Sequence, residues 1–393
     1  MIVVVGLSAQ GELADPEAVA GASVVVGSRR QLGLLPAQAE QERVVLPSPL
    51  RPGLAALVEQ HDDLVVLASG DPLVSGIGTT LIEMYGADRV DVRPAVSSVA
   101  LARARMGWPA ETCSVVSLVA RDPSLVLREL APGRRILVLS SDQDTPHRVG
   151  ALLTEAGYGE SLMDVLGDLG TLQESRSWSV AHNWANAPTS HTPRLNVIAI
   201  TCTGPALGGW VAGLPDDAFE HDGQLTKRDL RASALARLAP VPGEHLWDVG
   251  AGAGSVGIEW MRAHPSCAAT AVEADGERAA RIVRNASRLG VPGLRVVTGR
   301  APEVLADLPV PDAVFVGGGA TRDGVIEACL AALRPGGRLV VHGVTLETEQ
   351  LLATLYREHG GELTRIAVET AAPIGSFTGW TPARTVTQWA LTR

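Results

Sequence analysis

The chain has 393 residues, a formal net charge of −10, and 46% hydrophobic residues of which few are aromatic. That length exceeds one ordinary core and implies two domains at ~100–200 residues each. The acidic balance opposes the attraction to phosphate backbones on which nucleic-acid binding relies, and no apolar run reaches the ~20 residues that span a bilayer.

The first stretch, "MIVVVGLSAQGELADPE", has no basic segment ahead of its apolar run, so it reads as a β-strand rather than a secretory signal. Further strand-like runs follow at 23–26, 64–68, 114–118, 136–139 and 195–201, with helical stretches between them such as 78–85 and 146–156. Strands alternating with helices are the pattern of α/β domains with largely parallel sheets. After "VIAITC" the texture becomes rich in Gly, Pro and acids without periodicity, which marks a linker over 205–222, centred near Gly208. Domains are therefore expected at 1–204 and 223–393.

The second domain opens with a helix expected over 226–238, capped by Thr226. Strands are expected at 245–249, 268–272, 294–297, 313–316, 338–342, 364–368 and 386–391. The last two lack a convincing helix between them, which implies an antiparallel hairpin at the sheet edge, since a parallel pair needs a crossover of about a dozen residues. Cys113, Cys202, Cys267 and Cys329 stand far apart with no C-x-x-C, so neither a metal site nor a redox pair is written, and a reducing cytoplasm fits best.

"LWDVGAGAGSVGIEW" carries Gly252-x-Gly254-x-x-Gly257, the spacing of a dinucleotide loop. Asp248 just ahead of it would repel a pyrophosphate seated on the helix start. A sulfonium and an ammonium would be welcome there, which favours S-adenosylmethionine over NAD. Glu273, ending the next strand, can accept two ribose hydroxyls and suits either ligand. Gly317, Gly318 and Gly319 end a neighbouring strand over the same pocket, leaving room for a reacting group. These features point to a class I methyltransferase domain.

In the first half, "LASGDPLVSGIGTTL" places Gly70, Asp71 and Pro72 directly after a strand: Gly70 can take positive φ, Asp71 can accept N–H groups, and Pro72 fixes the exit. "RPAVSSVALARARMG" brings Ser97 and Ser98 to a helix start. Turns after Leu118 and Leu139 would face the same cleft. Together with "VVVGSRRQL", "SSDQDTPHRVGALLTEAGYGES" and "LNVIAITC", these stretches resemble the tetrapyrrole methylase family. "DDAFEHDGQLTKRDLRASALARLAP", "GRAPEVLADLPVPDAVFVGGG" and "RPGGRLVVHGVTLET" are similar to the decarboxylating methylases of the cobalamin pathway.

The resemblance implies an N-terminal bilobal tetrapyrrole methylase fold followed by a C-terminal Rossmann-like, seven-stranded class I domain. It further implies an S-adenosylmethionine site in each domain, a corrinoid substrate, methylation at two ring carbons with loss of carbon dioxide from an acetate, and a homo-oligomer. Carried over residue by residue, it assigns cofactor contacts to Thr226, Gly250, Ala251, Gly252, Ala253, Gly254, Glu273 and Ala301, and in the first half to Gly70, Asp71, Pro72, Ser97 and Ser98. The chain departs from the family where "VVVGLSAQGE" lacks a Gly-Pro-Gly and "SLVARD" stands for S-L-H-G-R. A polycarboxylate substrate suits guanidinium forks. Arg29, Arg30, Arg103 and Arg105 are candidates for it, with His221, Lys227 and Gly318 near the second pocket. No residue is assignable to decarboxylation. Two other readings stay open: a methyltransferase for another substrate such as tRNA, or one active C-terminal site beside a non-catalytic N-terminal module.

Overall fold

A computed structural model describes residues 1–37, 40–61, 63–206 and 210–393. The chain divides into two compact units, Met1–Pro205 and Ala206–Arg393.

The first unit holds two five-stranded sheets. One is built of β1 (Ile2–Leu7), β2 (Val24–Gly27), β3 (Glu42–Val45), β4 (Leu64–Ser69) and β5 (Val90–Arg93) in the order β3-β2-β4-β1-β5, all parallel. Its central strands β1, β2 and β4 are valine-rich because both faces are covered, as parallel sheets require. The other comprises β6 (Cys113–Ser117), β7 (Arg135–Leu139), β8 (Leu162–Gly167), β9 (Ser175–Val180) and β10 (Asn196–Thr201) in the order β6-β7-β10-β8-β9. Only β6 and β7 run parallel, so this sheet is mixed where a largely parallel one was expected. β8 escaped the sequence because Asp164 interrupts its apolar run; buried there, Asp164 is compensated by Arg176 on β9 at 2.7 Å.

The second unit holds a seven-stranded sheet of β11 (His245–Val249), β12 (Ala268–Glu273), β13 (Arg295–Thr298), β14 (Ala313–Val316), β15 (Arg338–Gly343), β16 (Glu362–Ile366) and, after an excursion, β19 (Val386–Thr392). The excursion is a separate hairpin, β17 (Glu369–Ile374) and β18 (Phe377–Pro382). The order is β13-β12-β11-β14-β15-β19-β16. The expected antiparallel pair is present, but β19 slots between β15 and β16 rather than lying at the edge. Helices cover both faces, giving one core around Trp260 and another around Trp389.

Of the stretch expected as a linker, Gly208 lies outside the described residues. Leu214 and Phe219 are buried in the core of the second unit, so this part of the stretch is packed structure and not a tether. It is held by a buried clamp. Arg231, fully buried on the helix Arg228–Leu238, pairs with Glu259 of the helix Ser255–Ala263 at 2.5 Å. Glu259 also accepts from the N–H groups of Gly213 and Leu214 at 2.6 and 2.9 Å. Arg231 donates in turn to the carbonyls of Leu214 and Thr226. This corrects the cap reading: the helix starts at Arg228 with Lys227 at its N-cap position, and Thr226 is used through its carbonyl.

Removing one partner of a buried ion pair strands the other, at about 3–5 kcal/mol, whereas replacing both with apolar residues is far better tolerated. Arg231→Met is therefore expected to destabilise the second unit by about that amount in urea titrations, and the pair Arg231→Met with Glu259→Leu to recover most of it. A single substitution within ~1 kcal/mol of the parent would rule out the clamp.

Candidate functional site

The carboxyl ends of β11, β12, β14 and β15 point to one side of the sheet. The strand order reverses between β12-β11 and β11-β14, and that opens a crevice beside β11. A cavity of about 830 Å³ lies there, within the ~300–1,000 Å³ of small-molecule sites.

The glycine loop after β11 forms its floor. Gly250 and Gly252 both take left-handed backbone angles, φ +69° and +59°. A Cβ on Gly250 would stand 2.7 Å from the Gly318 carbonyl oxygen, and one on Gly252 would stand 2.8 Å from that of Gln224. Only glycine satisfies both the angle and the approach. The segment Gly223–Lys227, whose Thr226 carbonyl the Arg231 clamp grips, forms one wall. Opposite lie Glu273, Gly299 to Ala301, and Gly317 to Gly319. Glu273 is nearly buried and fixed at both oxygens: Oε2 accepts from Gly252 N at 2.8 Å and Oε1 from Asp275 N at 3.0 Å. Each oxygen keeps a lone pair for a further donor.

Of the residues the sequence singled out in this half, Thr226, Lys227, Gly250, Ala251, Gly252, Glu273, Ala301 and Gly318 line the cavity. Ala253, Gly254 and His221 do not. The Ala253 side chain is buried and its carbonyl accepts from Asn285. Gly254 turns the chain into the next helix against Ile282. The His221 ring accepts locally from Gly223 N.

Asp248 also departs from its sequence reading. It is buried away from the cavity, with Oδ2 accepting from Gly257 N at 2.9 Å and Oδ1 unpartnered. Burial pushes its carboxyl up to about 7. The acid thus tethers the glycine loop to the following helix, and its charge is no argument for a cationic ligand.

Five charged or titratable cavity residues went unnoticed in the sequence: Arg278, which pairs with Asp222 at 2.9 Å, Arg300, Arg322, Arg384 and His342. Arg300 sits inside the "GRAPE" motif, and His342 is the polar residue near the end of an otherwise apolar strand, so both left a signal. Arg384 follows the hairpin excursion and left none. Arg322 pairs with Glu303 at 2.5 Å and Lys227 with Asp216 at 3.5 Å, whereas Arg300 and Arg384 carry no ion pair among the described residues. This end of the unit is cationic although the chain is acidic.

In the first unit, β4 leads into the Gly70 turn, with Gly70 at φ +62°. Its N–H donates to the Leu7 carbonyl at 2.8 Å and its carbonyl accepts from Ala95 N at 3.2 Å. A Cβ on Gly70 would stand 2.8 Å from the Val96 carbonyl oxygen, so the two serine-bearing and glycine-bearing turns are in direct backbone contact. Asp71 Oδ1 accepts from Leu73 N at 2.8 Å, and buried Pro72 follows. Ser97 caps the helix Ser98–Met106 by accepting from Ala100 N, while Ser98 is exposed. The turns after Leu118 and Leu139 are joined: Ser141 Oγ donates to Leu118 O and accepts from Ala120 N.

The arginines of this unit are less uniform than expected. Arg30 donates to Ser69 Oγ at 2.8 Å, directly before the Gly70 turn, whereas Arg29 is exposed at the start of its helix. Arg105 is held by both oxygens of Glu174, so its fork is occupied and it is withdrawn as a carboxylate binder. Arg103, on the same helix, lies close enough to Cys113 to favour its thiolate, although burial outweighs this and raises the thiol. No disulfide joins the cysteines and no metal-binding cluster exists among the described residues, and no described helix is long and apolar enough to cross a membrane.

Comparison with known proteins covers both units. Residues 13–176 match the family of tetrapyrrole (corrin/porphyrin) methylases, and residues 217–393 match the precorrin methyltransferase domain. A precorrin-6Y C(5,15)-methyltransferase [decarboxylating] of Mycobacterium tuberculosis is 44% identical over 397 residues, covering 100% of each chain. One from Sinorhizobium sp. is 44% identical over 95% of this chain and 91% of that one. Among solved structures, the C-terminal domain of precorrin-6Y C5,15-methyltransferase from Rhodobacter capsulatus is 44% identical, covers 47% of this chain and 100% of that one, and has a TM-score of 0.45.

A buried carboxyl group raised above its unfolded value keeps a proton that the unfolded chain has released. For Asp248, stability is fully present below about 3.8 and falls as pH rises toward about 7. Asp248→Asn is expected to flatten the decline of the second unit's melting temperature between about pH 4 and 7. An unchanged slope would place the titrating group elsewhere.

Proposed function

The chain belongs to the precorrin-6Y C(5,15)-methyltransferase (decarboxylating) family, and on that premise we propose that it adds methyl groups at ring carbons 5 and 15 of precorrin-6Y, removes the ring C acetate carboxyl as carbon dioxide, and uses one S-adenosylmethionine site in each unit. The observation that carries this reading is the cavity beside β11, where a fixed carboxylate, a glycine floor and a cationic rim meet.

The residues fit the donor. Glu273, aimed by Gly252 N and Asp275 N, would take the ribose hydroxyls; the backbone of Gly250 to Gly252 would pass under the amino-acid end, with Thr226 and Ala301 on either side. In the first unit, Gly70, Asp71 and Pro72 would hold the second donor against Ser97 and Ser98. Bound S-adenosylmethionine supplies an electrophilic methyl group on sulfur.

The chain's own task is alignment and exclusion of water. An enamine-like ring carbon is already nucleophilic, so no strong base is required to generate it. Lys227, Arg300, Arg322 and Arg384 would anchor substrate carboxylates at the rim, and Gly317 to Gly319 leave space for the ring to approach. Arg30, poised over the Gly70 turn, is the corresponding candidate in the first unit.

Mass spectrometry of the product formed from precorrin-6Y is expected to show two methyl groups gained and one carbon dioxide lost. Glu273→Ala should abolish the methyl and the carbon dioxide assigned to the second unit while leaving the other methylation intact. It should also weaken S-adenosylhomocysteine binding there about tenfold or more, the loss of hydrogen bonds to a charged group. A single methyl gained by the unaltered chain would sink the bifunctional reading and leave the first unit as a binding module.

A further inference from the structure

Deepening the reading above and resting on it, we propose that His342 is the neutral N–H donor that holds the departing acetate of the substrate in the second unit, with Gln388 as the positioning residue that fixes its tautomer.

His342 is the penultimate residue of β15 and lines the cavity beside Val344 and Val386, only 8% exposed. Across the sheet, β12 is three strands away, about 14 Å at ~4.8 Å per strand. Glu273 and His342 therefore stand at opposite ends of the crevice, and a donor bound at Glu273 leaves the His342 end to the acceptor. The edge of Phe315 meets the imidazole in a T-shaped contact, with ring centroids 5.0 Å apart, and fixes its plane.

One orientation of the Gln388 amide satisfies its neighbours: its oxygen accepts from Arg237 Nε at 3.0 Å, and its nitrogen donates to His342 Nε2 at 2.9 Å. The reverse would turn the amide nitrogen on a guanidinium that can only donate. Arg237 itself is anchored by Glu362 on β16 at 2.8 Å. Because Nε2 receives a hydrogen bond, the proton of the neutral ring resides on Nδ1, which has no protein partner among the described residues and is left for the cavity.

The ring also stays neutral. Burial disfavours its charged form, and the positive charge of Arg237 acts in the same direction. Arg322 and Arg384 line the same cavity. Burial chiefly, with the Arg237 charge acting the same way, holds the imidazole down to about 4.

Neutrality matters for the chemistry. In decarboxylation the bond between the acetate methylene and its carboxyl carbon breaks, the electron pair passes into the conjugated ring, carbon dioxide leaves uncharged, and the methylene carbon takes a proton from water. A cation on that carboxylate would stabilise the charge that has to disappear. A neutral donor between Val344 and Val386 orients it with much less of that penalty, while the rim arginines take the carboxylates that remain.

The test combines spectroscopy and product counting on the full chain. With nitrogen-15 in its histidines, the His342 signal, assigned by its loss in His342→Asn, is expected to show the Nδ1–H tautomer and no titration between about pH 6 and 8.5. Gln388→Glu offers Nε2 only an acceptor, so it should move the proton to Nε2 and make the ring titrate. His342→Phe is expected to slow carbon dioxide loss about ten- to hundredfold through lost orientation of the carboxylate, with S-adenosylhomocysteine affinity in that unit unchanged. His342→Asn keeps a donor near the Nδ1 position and should restore most of the rate.

An Nε2–H tautomer in the unaltered chain, or carbon dioxide loss by His342→Phe within twofold of it, would overturn the proposal. Absence of S-adenosylhomocysteine binding to the second unit of the unaltered chain would instead overturn the functional reading beneath it, and the proposal with it.

Discussion

The second unit depends on one buried pair, Arg231 with Glu259. Two charges taken out of water are expensive, and they are tolerated here because hydrogen bonds satisfy them on several sides. The geometric return is a wall for the cavity. Glu259 anchors the chain at Gly213 and Leu214, Arg231 anchors it at Leu214 and Thr226, and the residues between are drawn over the helix layer with Phe219 beneath the guanidinium at 4.8 Å. That strap holds the segment Gly223–Lys227 at Thr226, beside the ion pairs of Asp222 with Arg278 and Arg281 and of Lys227 with Asp216.

From this wall the remaining order of the site follows by short steps. Gly252 fits under Gln224 only because it lacks a side chain, its N–H then meets Glu273, and Glu273 is thereby aimed at the crevice. Asp248 secures the same loop from below through Gly257. The result separates two chemistries across one sheet. A fixed carboxylate stands at the β12 end, and a neutral imidazole flanked by apolar and cationic residues stands at the β15 end.

Much of this was legible in the sequence, for identifiable reasons. Strands buried on both faces, such as β1, β4, β11 and β14, write themselves as continuous aliphatic runs. The glycine loop is legible because positive φ and close backbone approach restrict residue type, and Glu273 because it ends the strand that follows the loop. The edge strands β3 and β9 are poorly written, because they carry charged or polar residues where one side faces water. The clamp was illegible because it joins residues distant in sequence, and 210–222, poor in periodicity, therefore looked like a tether. Asp248 was misread for a related reason. Its position beside the loop is evident from the chain, but whether its side chain points to the ligand or to the following helix is decided by packing. His342 was overlooked because its significance comes from Gln388 and Arg237, on two other elements.

The central claim is that one acidic chain carries two separate methyl-donor sites, one per unit. Calorimetric titration of the full chain with S-adenosylhomocysteine tests it most directly. The account predicts two molecules bound per chain, and saturation at one would contradict it.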